Sequence, residues 1–201
     1  MNTSPTNTFI EEQSIKRLLD GWGLQRDTCR WDELRACYAP GATMVTTWFD
    51  GAATDFVEAS IRAATSNTLV QHFFGPSAIQ IKGQRAIAET RLILLVRTEL
   101  EGAEVDVTCY GRFIDRLVLH DGQWRILARI PIYEKDSLVP LDPQRPLQLD
   151  HARLNRHPVA FRHLAYLQEL GGATITTRIP PHNSEAQHAL YAAGQDWLHS
   201  A

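Results

Sequence analysis

Arg85-Ala86-Ile87-Ala88-Glu89-Thr90-Arg91-Leu92-Ile93-Leu94-Leu95-Val96-Arg97-Thr98-Glu99-Leu100, followed at once by Glu101-Gly102, is a long β-rich run ending in a turn signal. Ser77 to Lys82, Glu104 to Leu119 and Gln123 to Glu134 have the same character, and Lys82-Gly83, Glu101-Gly102 and Asp121-Gly122 divide them. Such pairs favour the tight turns that join antiparallel strands, so the spacing predicts consecutive hairpins of one antiparallel sheet. Strands this long do not stay flat. The polar, charged and aromatic residues among them predict a sheet curled around a core or pocket, with its other face at solvent or against a partner subunit.

Upstream the pattern is helical. Ile10, Ile15, Leu18, Leu19 and Trp22 recur at helical period within Phe9 to Leu24, and Gly21 and Gly23 loosen its end. Trp31, Leu34 and Tyr38 share a face of a second short helix that Ala39-Pro40-Gly41 stops. Ala42 to Phe49 reads as a strand turned by Asp50-Gly51, and Thr54 or Asp55 is placed to cap a helix from Phe56 to about Ala64. Helices followed by a curled meander define an α+β cone.

Beyond Tyr133, prolines 140, 143, 146, 158, 180 and 181 punctuate a segment with two expected helices: Val159 to Leu170, ended by Gly171-Gly172, and one opened by the capping box Ser184-Glu185-Ala186-Gln187. These elements are too few to bury a core alone. The expected organisation is a disordered start at residues 1–8, a cone at 9–137, and an extension at 138–201 that packs on the cone or on a neighbouring subunit. A chain of 201 residues suits one domain with an appendage, and 44% apolar residues suffice for a sizeable core.

A net charge of −3 with mixed signs gives no basic stripe for nucleic acid. The polar N-terminus lacks the pattern of a signal peptide, no apolar run approaches membrane-spanning length, and three cysteines without paired spacing suit reduced thiols, so a cytoplasmic protein is expected. Six of the eight histidines lie after Tyr133 without the spacing of metal ligands, and neither metal nor cofactor is expected. The exposed sheet face and long tail suggest a homo-oligomer, a dimer or trimer.

Thr68-Leu69-Val70-Gln71-His72-Phe73-Phe74-Gly75-Pro76 is a short apolar strand closed by a Gly-Pro breaker, with one histidine at its centre. Histidine ordinarily titrates nearest neutral pH, so a ring held among apolar neighbours is either a packed core residue or a base awaiting an orienting carboxylate.

The order of elements resembles the nuclear transport factor 2-like fold. Arg26-Asp27-Thr28-Cys29-Arg30-Trp31-Asp32-Glu33-Leu34-Arg35 and Val70-Gln71-His72-Phe73-Phe74-Gly75 resemble segments of scytalone dehydratase and the SnoaL-like enzymes, over roughly residues 10 to 137. The resemblance implies a catalytic dyad of Asp27 and His72. It also implies that Arg129 matches the arginine of a related dehydrochlorinase, and that Tyr110 lies near a second histidine of the dehydratase. Simple alternation puts Arg129 on a face with Leu127 and Tyr133, opposite Trp124, Ile126 and Ile130. Two substrate-holding tyrosines of the dehydratase are replaced at Arg26 and Thr46, and the lysine of the dehydrochlorinase at Trp22.

Trp22, Thr46, Trp48, Phe73, Tyr110 and Tyr133 are the candidate substrate-binding residues, with Phe49 and Phe74 as further aromatic lining, for a small hydrophobic terpenoid, steroid-like or polyketide ring system. The reaction implied is a dehydration without cofactor: His72, oriented by Asp27, takes a proton beside a carbonyl while Arg129 or Tyr110 assists the leaving group. An isomerase or cyclase shares that first step, and a non-catalytic subunit or ligand-binding protein of the same fold is the alternative.

Overall fold

Three two-residue hairpins shape the sheet, joining β3 (Leu69–Lys82), β4 (Arg85–Leu100), β5 (Ala103–His120) and β6 (Gln123–Pro140). At two of them, Glu101-Gly102 and Asp121-Gly122, both residues have positive φ, the backbone whose twist matches that of the flanking strands. In this computed structural model, which describes residues 5–64 and 68–200, the strand order is β2-β1-β6-β5-β4-β3. β1 (Tyr38–Thr46) runs parallel to β6, β2 (Phe49–Ala52) folds back on β1, and the sheet stays open with β3 as one edge. The fold is α+β, a curled unclosed sheet with helices at its N-terminal end.

Bulges supply much of the curl. The register slips in β3 across Gly75-Pro76, and in β6 at Leu127 and Glu134. Gly75-Pro76 therefore bends a continuous strand instead of closing it; a bulge on an edge strand is where proline's missing N–H is tolerated. Asp50-Gly51 lies within β2, and the hairpin turns three residues earlier at Thr47-Trp48.

The first helix, α1, spans Pro5–Asp27. Residues 5–8 form its first turns, not the disordered start expected for 1–8, of which residues 1–4 lie outside the described residues. α2 (Trp31–Ala36) and α3 (Ala53–Ala63) follow, and α3 begins before Thr54 without a side-chain cap. Ile15, Leu19, Trp22, Leu34, Phe56 and Val57 from these helices pack on Leu92, Phe113, Leu117 and Ile126 of the sheet.

The extension contains α4 (His151–Leu154), a 3-10 turn (Val159–Phe161), α5 (Arg162–Leu170) and α6 (Glu185–His199). Phe161, Leu164 and Ala165 join Val107, Cys109 and Tyr133 in a second buried cluster, so α5 closes the concave side of the sheet. α6 lies on the convex side. There Tyr191 donates to Glu89 at 2.7 Å and receives from Arg112 at 3.1 Å. β6 runs three residues past the boundary expected at 137.

Candidate active site

Along edge strand β3 the side chains alternate, so Val70, His72 and Phe74 face inward while Leu69, Gln71 and Phe73 face out. An edge strand also presents unpaired backbone groups, which α1 covers. The helix lies close because of Gly23: a Cβ there would stand 2.6 Å from the Phe74 ring. Asp27 is the last helical residue. Cys29, at φ 59°, and an Arg30 N–H to Gln25 carbonyl bond of 2.8 Å turn the chain away after it.

This arrangement delivers the Asp27 carboxylate to one residue twice. Oδ2 accepts from the His72 backbone N–H at 2.6 Å, and Oδ1 lies 2.6 Å from His72 Nδ1. The two side chains are only 13% and 11% exposed. A carboxylate at Nδ1 selects the tautomer that carries its proton there, which leaves the lone pair on Nε2. Trp22 meets the imidazole edge-on at 5.4 Å and is itself held by donating to Tyr38 Oη at 2.7 Å.

His72 lines a cavity of about 470 Å³. Apolar walls come from Trp22, Met44, Trp48, Phe56, Leu92 and Phe113, and the end of α1 contributes Arg26, Asp27 and Cys29. Of the expected binding residues, Trp22, Thr46, Trp48 and Tyr133 line it. Thr46 Oγ1 accepts from the Trp48 N–H at 3.2 Å, and burial pushes the Tyr133 phenol well up.

The other expected residues are elsewhere. Phe73 is 63% exposed on the convex face. Tyr110 is on that face too, with Lys135 Nζ 4.7 Å from its ring centroid; its neighbours Cys109 and Gly111 take the inward positions. Phe49 and Phe74 pack against the helical core rather than the cavity.

Arg129 does face inward, for a reason alternation could not supply: the bulge at Leu127 shifts the phase and puts it on the face of Trp124 and Ile126. It does not reach the cavity. Asp115, opposite it in the β5–β6 register, takes it up with Nε–Oδ1 2.7 Å and Nη2–Oδ2 2.9 Å, both side chains fully buried. The guanidinium lies behind two cavity-lining rings, 4.4 Å from the centroid of Trp22 and 4.5 Å from that of Phe113. Arg129 is thus a buried ion-pair partner and not the leaving-group residue expected.

Sequence reasoning missed the wall given by the extension. Leu164, Leu167 and Gln168 of α5 line the cavity, and Thr47 Oγ1 donates to Gln168 Oε1 at 2.5 Å. The Thr176 N–H donates to the Thr47 carbonyl at 2.9 Å, pinning the following loop to the β1–β2 turn. The amphipathic pattern of 159–170 signalled a buried face but not what it covers. Arg26 was noticed only as a replacement. Among the described residues no group of three or more His, Cys, Asp or Glu could hold a metal ion, and no helix is long and apolar enough to cross a membrane.

Comparison with known proteins gives the class of this hollow sheet its name. Residues 8–130 match the SnoaL-like domain, and the chain belongs to that family. It is similar to pea pathogenicity protein 2 of Fusarium vanettenii, 29% identical over 98% of this chain and 89% of that one. A PEP2-like protein of the same fungus is 31% identical with the same coverage. These matches run through the extension. Among solved structures, a Novosphingobium aromaticivorans protein assigned as a scytalone dehydratase shares the fold (TM-score 0.58, 18% identity, 65% of this chain and 88% of that one). So does a Mycobacterium tuberculosis protein of unknown function (TM-score 0.57, 19% identity, 82% and 97%).

Proposed function

We propose that this protein is a lyase of the dehydratase type acting on a hydrophobic cyclic carbonyl compound. His72 Nε2 takes the proton from the carbon beside the carbonyl, and Asp27 holds the ring and stabilises the imidazolium. The C–O bond on the next carbon breaks as the imidazolium returns that proton to the departing hydroxyl, which releases water, a carbon–carbon double bond and neutral His72. The observation that carries this reading is the doubly bonded Asp27–His72 pair at the wall of an otherwise largely apolar cavity. A positioned base supplies about 10²–10⁴-fold in rate. Isomerisation and cyclisation begin with the same proton transfer, so the shared step is what to test first.

The test is deuterium uptake in heavy water by a panel of cyclic ketones and β-hydroxyketones with one to three fused rings, followed by mass spectrometry. Uptake catalysed by the unmodified protein and lost in His72→Ala supports the reading, and loss of water from a β-hydroxyketone identifies the lyase. Uptake no faster than with His72→Ala across the panel counts against it.

A further inference from the structure

Arg26 immediately precedes Asp27 and lines the same cavity. It is half-buried at the end of α1, its guanidinium 5.6 Å from the centroid of the Trp31 ring. Its Nε is buried without a hydrogen-bond partner among the described residues. Burial holds this guanidinium below its ordinary range, although Asp27 beside it pulls the other way.

Several other polar side chains of the cavity are already committed: Asp27 is engaged twice by His72, Thr46 by the Trp48 N–H, Thr47 by Gln168, and Thr68 by Thr98. Arg129, the other cation close to the rings of the site, has its Nε and Nη2 taken up by Asp115. Its Nη1 is also without a partner among the described residues, but it lies behind the Trp22 and Phe113 rings and does not line the cavity. Arg26 therefore brings to the wall of a largely apolar space a permanent charge that no ion pair takes up among the described residues. A desolvated cation without a partner is unfavourable until an anion meets it, and a guanidinium's planar fork matches a carboxylate.

We propose that Arg26 is the anchor for a carboxylate carried by the substrate, so that the cavity selects a carboxylated cyclic carbonyl compound over its neutral analogues. The proposal rests on the cavity being the active site and deepens that reading. Because Arg26 and Asp27 are consecutive, the anchored carboxylate lies close to the base and fixes which carbon faces His72. Most of the remaining wall is apolar, so the acid group sets orientation and the ring system sets fit.

The experiment uses 1-naphthoate and methyl 1-naphthoate as probes, with binding followed by calorimetry and by quenching of tryptophan fluorescence. A charge-assisted pair in a half-buried site leads us to expect the acid to bind about tenfold or more tightly than the ester. Arg26→Gln should erase that preference, with acid affinity falling far more than ester affinity, and Arg26→Lys should keep part of it. Equal affinities for acid and ester, binding of neither probe, or a preference that survives in Arg26→Gln would each overturn the proposal. The comparison on unmodified protein decides even if a variant folds poorly. Deuterium uptake is measured separately, so a base that works without acid preference refutes only the anchor, and acid preference without uptake refutes only the reaction.

Discussion

Asp27 ends a helix and His72 sits midway along an edge strand, yet one carboxylate meets both the backbone N–H and the ring Nδ1 of that histidine, each at 2.6 Å. The backbone bond anchors the acid to the strand whatever the ring does, so the imidazole is held by a group that cannot swing away with it. That geometry suits orientation of a base more than simple burial of a histidine.

Asp27→Asn keeps the size of the side chain but removes the charge that stabilises an imidazolium. Proton transfer should fall about 10²–10⁴-fold while the circular-dichroism spectrum stays unchanged. Deuterium uptake measures it; a loss of less than about threefold would mean the carboxylate does not support the base.

Gly23→Ala and Gly21→Ala should move stability in opposite directions. A Cβ at Gly23 collides with the Phe74 ring at 2.6 Å and approaches the His72 carbonyl at 3.4 Å, whereas at Gly21 the nearest atom is the flexible end of Gln25 at 3.4 Å. The first should destabilise by about 1–3 kcal/mol through overpacking and, by lifting α1 from β3, slow proton transfer as well. The second should stabilise by about 0.5–1 kcal/mol through helix propensity. Urea unfolding and deuterium uptake together check both.

The Arg129–Asp115 pair is fully buried, so removing either partner strands a charge. Arg129→Met and Asp115→Leu should each cost about 3–5 kcal/mol, and the double variant should cost less than their sum. A urea-denaturation cycle gives the coupling; additive losses would contradict the pairing.

Thiol chemistry reports on the packing between helices and sheet. Cys29 is exposed, while Cys37 and Cys109 are buried. Burial pushes the Cys37 thiol up to about 11. At pH 8 iodoacetamide should label one thiol in native protein and three in denaturant. For Cys37 the unfolded chain loses its proton first as pH rises, so its contribution to stability is complete below the ordinary thiol range and disappears toward pH 11. Rapid native labelling of Cys37 would contradict its burial.

Much of this was legible in the chain. The hairpin turns announced themselves through Glu101-Gly102 and Asp121-Gly122, and the inward phase of His72 already implied that Phe73, one residue on, points out. Bulges were not legible: Leu127 is an ordinary strand residue, yet the slip there reverses the phase of Arg129. Asp115 could be found only once the β5–β6 register was known. The role of α5 escaped for a related reason, since amphipathicity shows that a face is buried but not that Leu164 and Leu167 border a cavity. Arg26 stood only as the replacement of a substrate-holding tyrosine, because nothing local reveals that its Nε lacks a hydrogen-bond partner among the described residues.

The most direct measurement is the protonation of the two His72 ring nitrogens in solution, read by long-range nitrogen–proton correlation NMR on uniformly labelled protein at a pH where the ring is neutral. Expected is a proton on Nδ1, bonded to Asp27, and a bare Nε2, with that preference weakened in Asp27→Asn. A proton on Nε2 with bare Nδ1 in the unmodified protein would contradict the assignment, because the nitrogen facing the cavity would have no lone pair to take a proton.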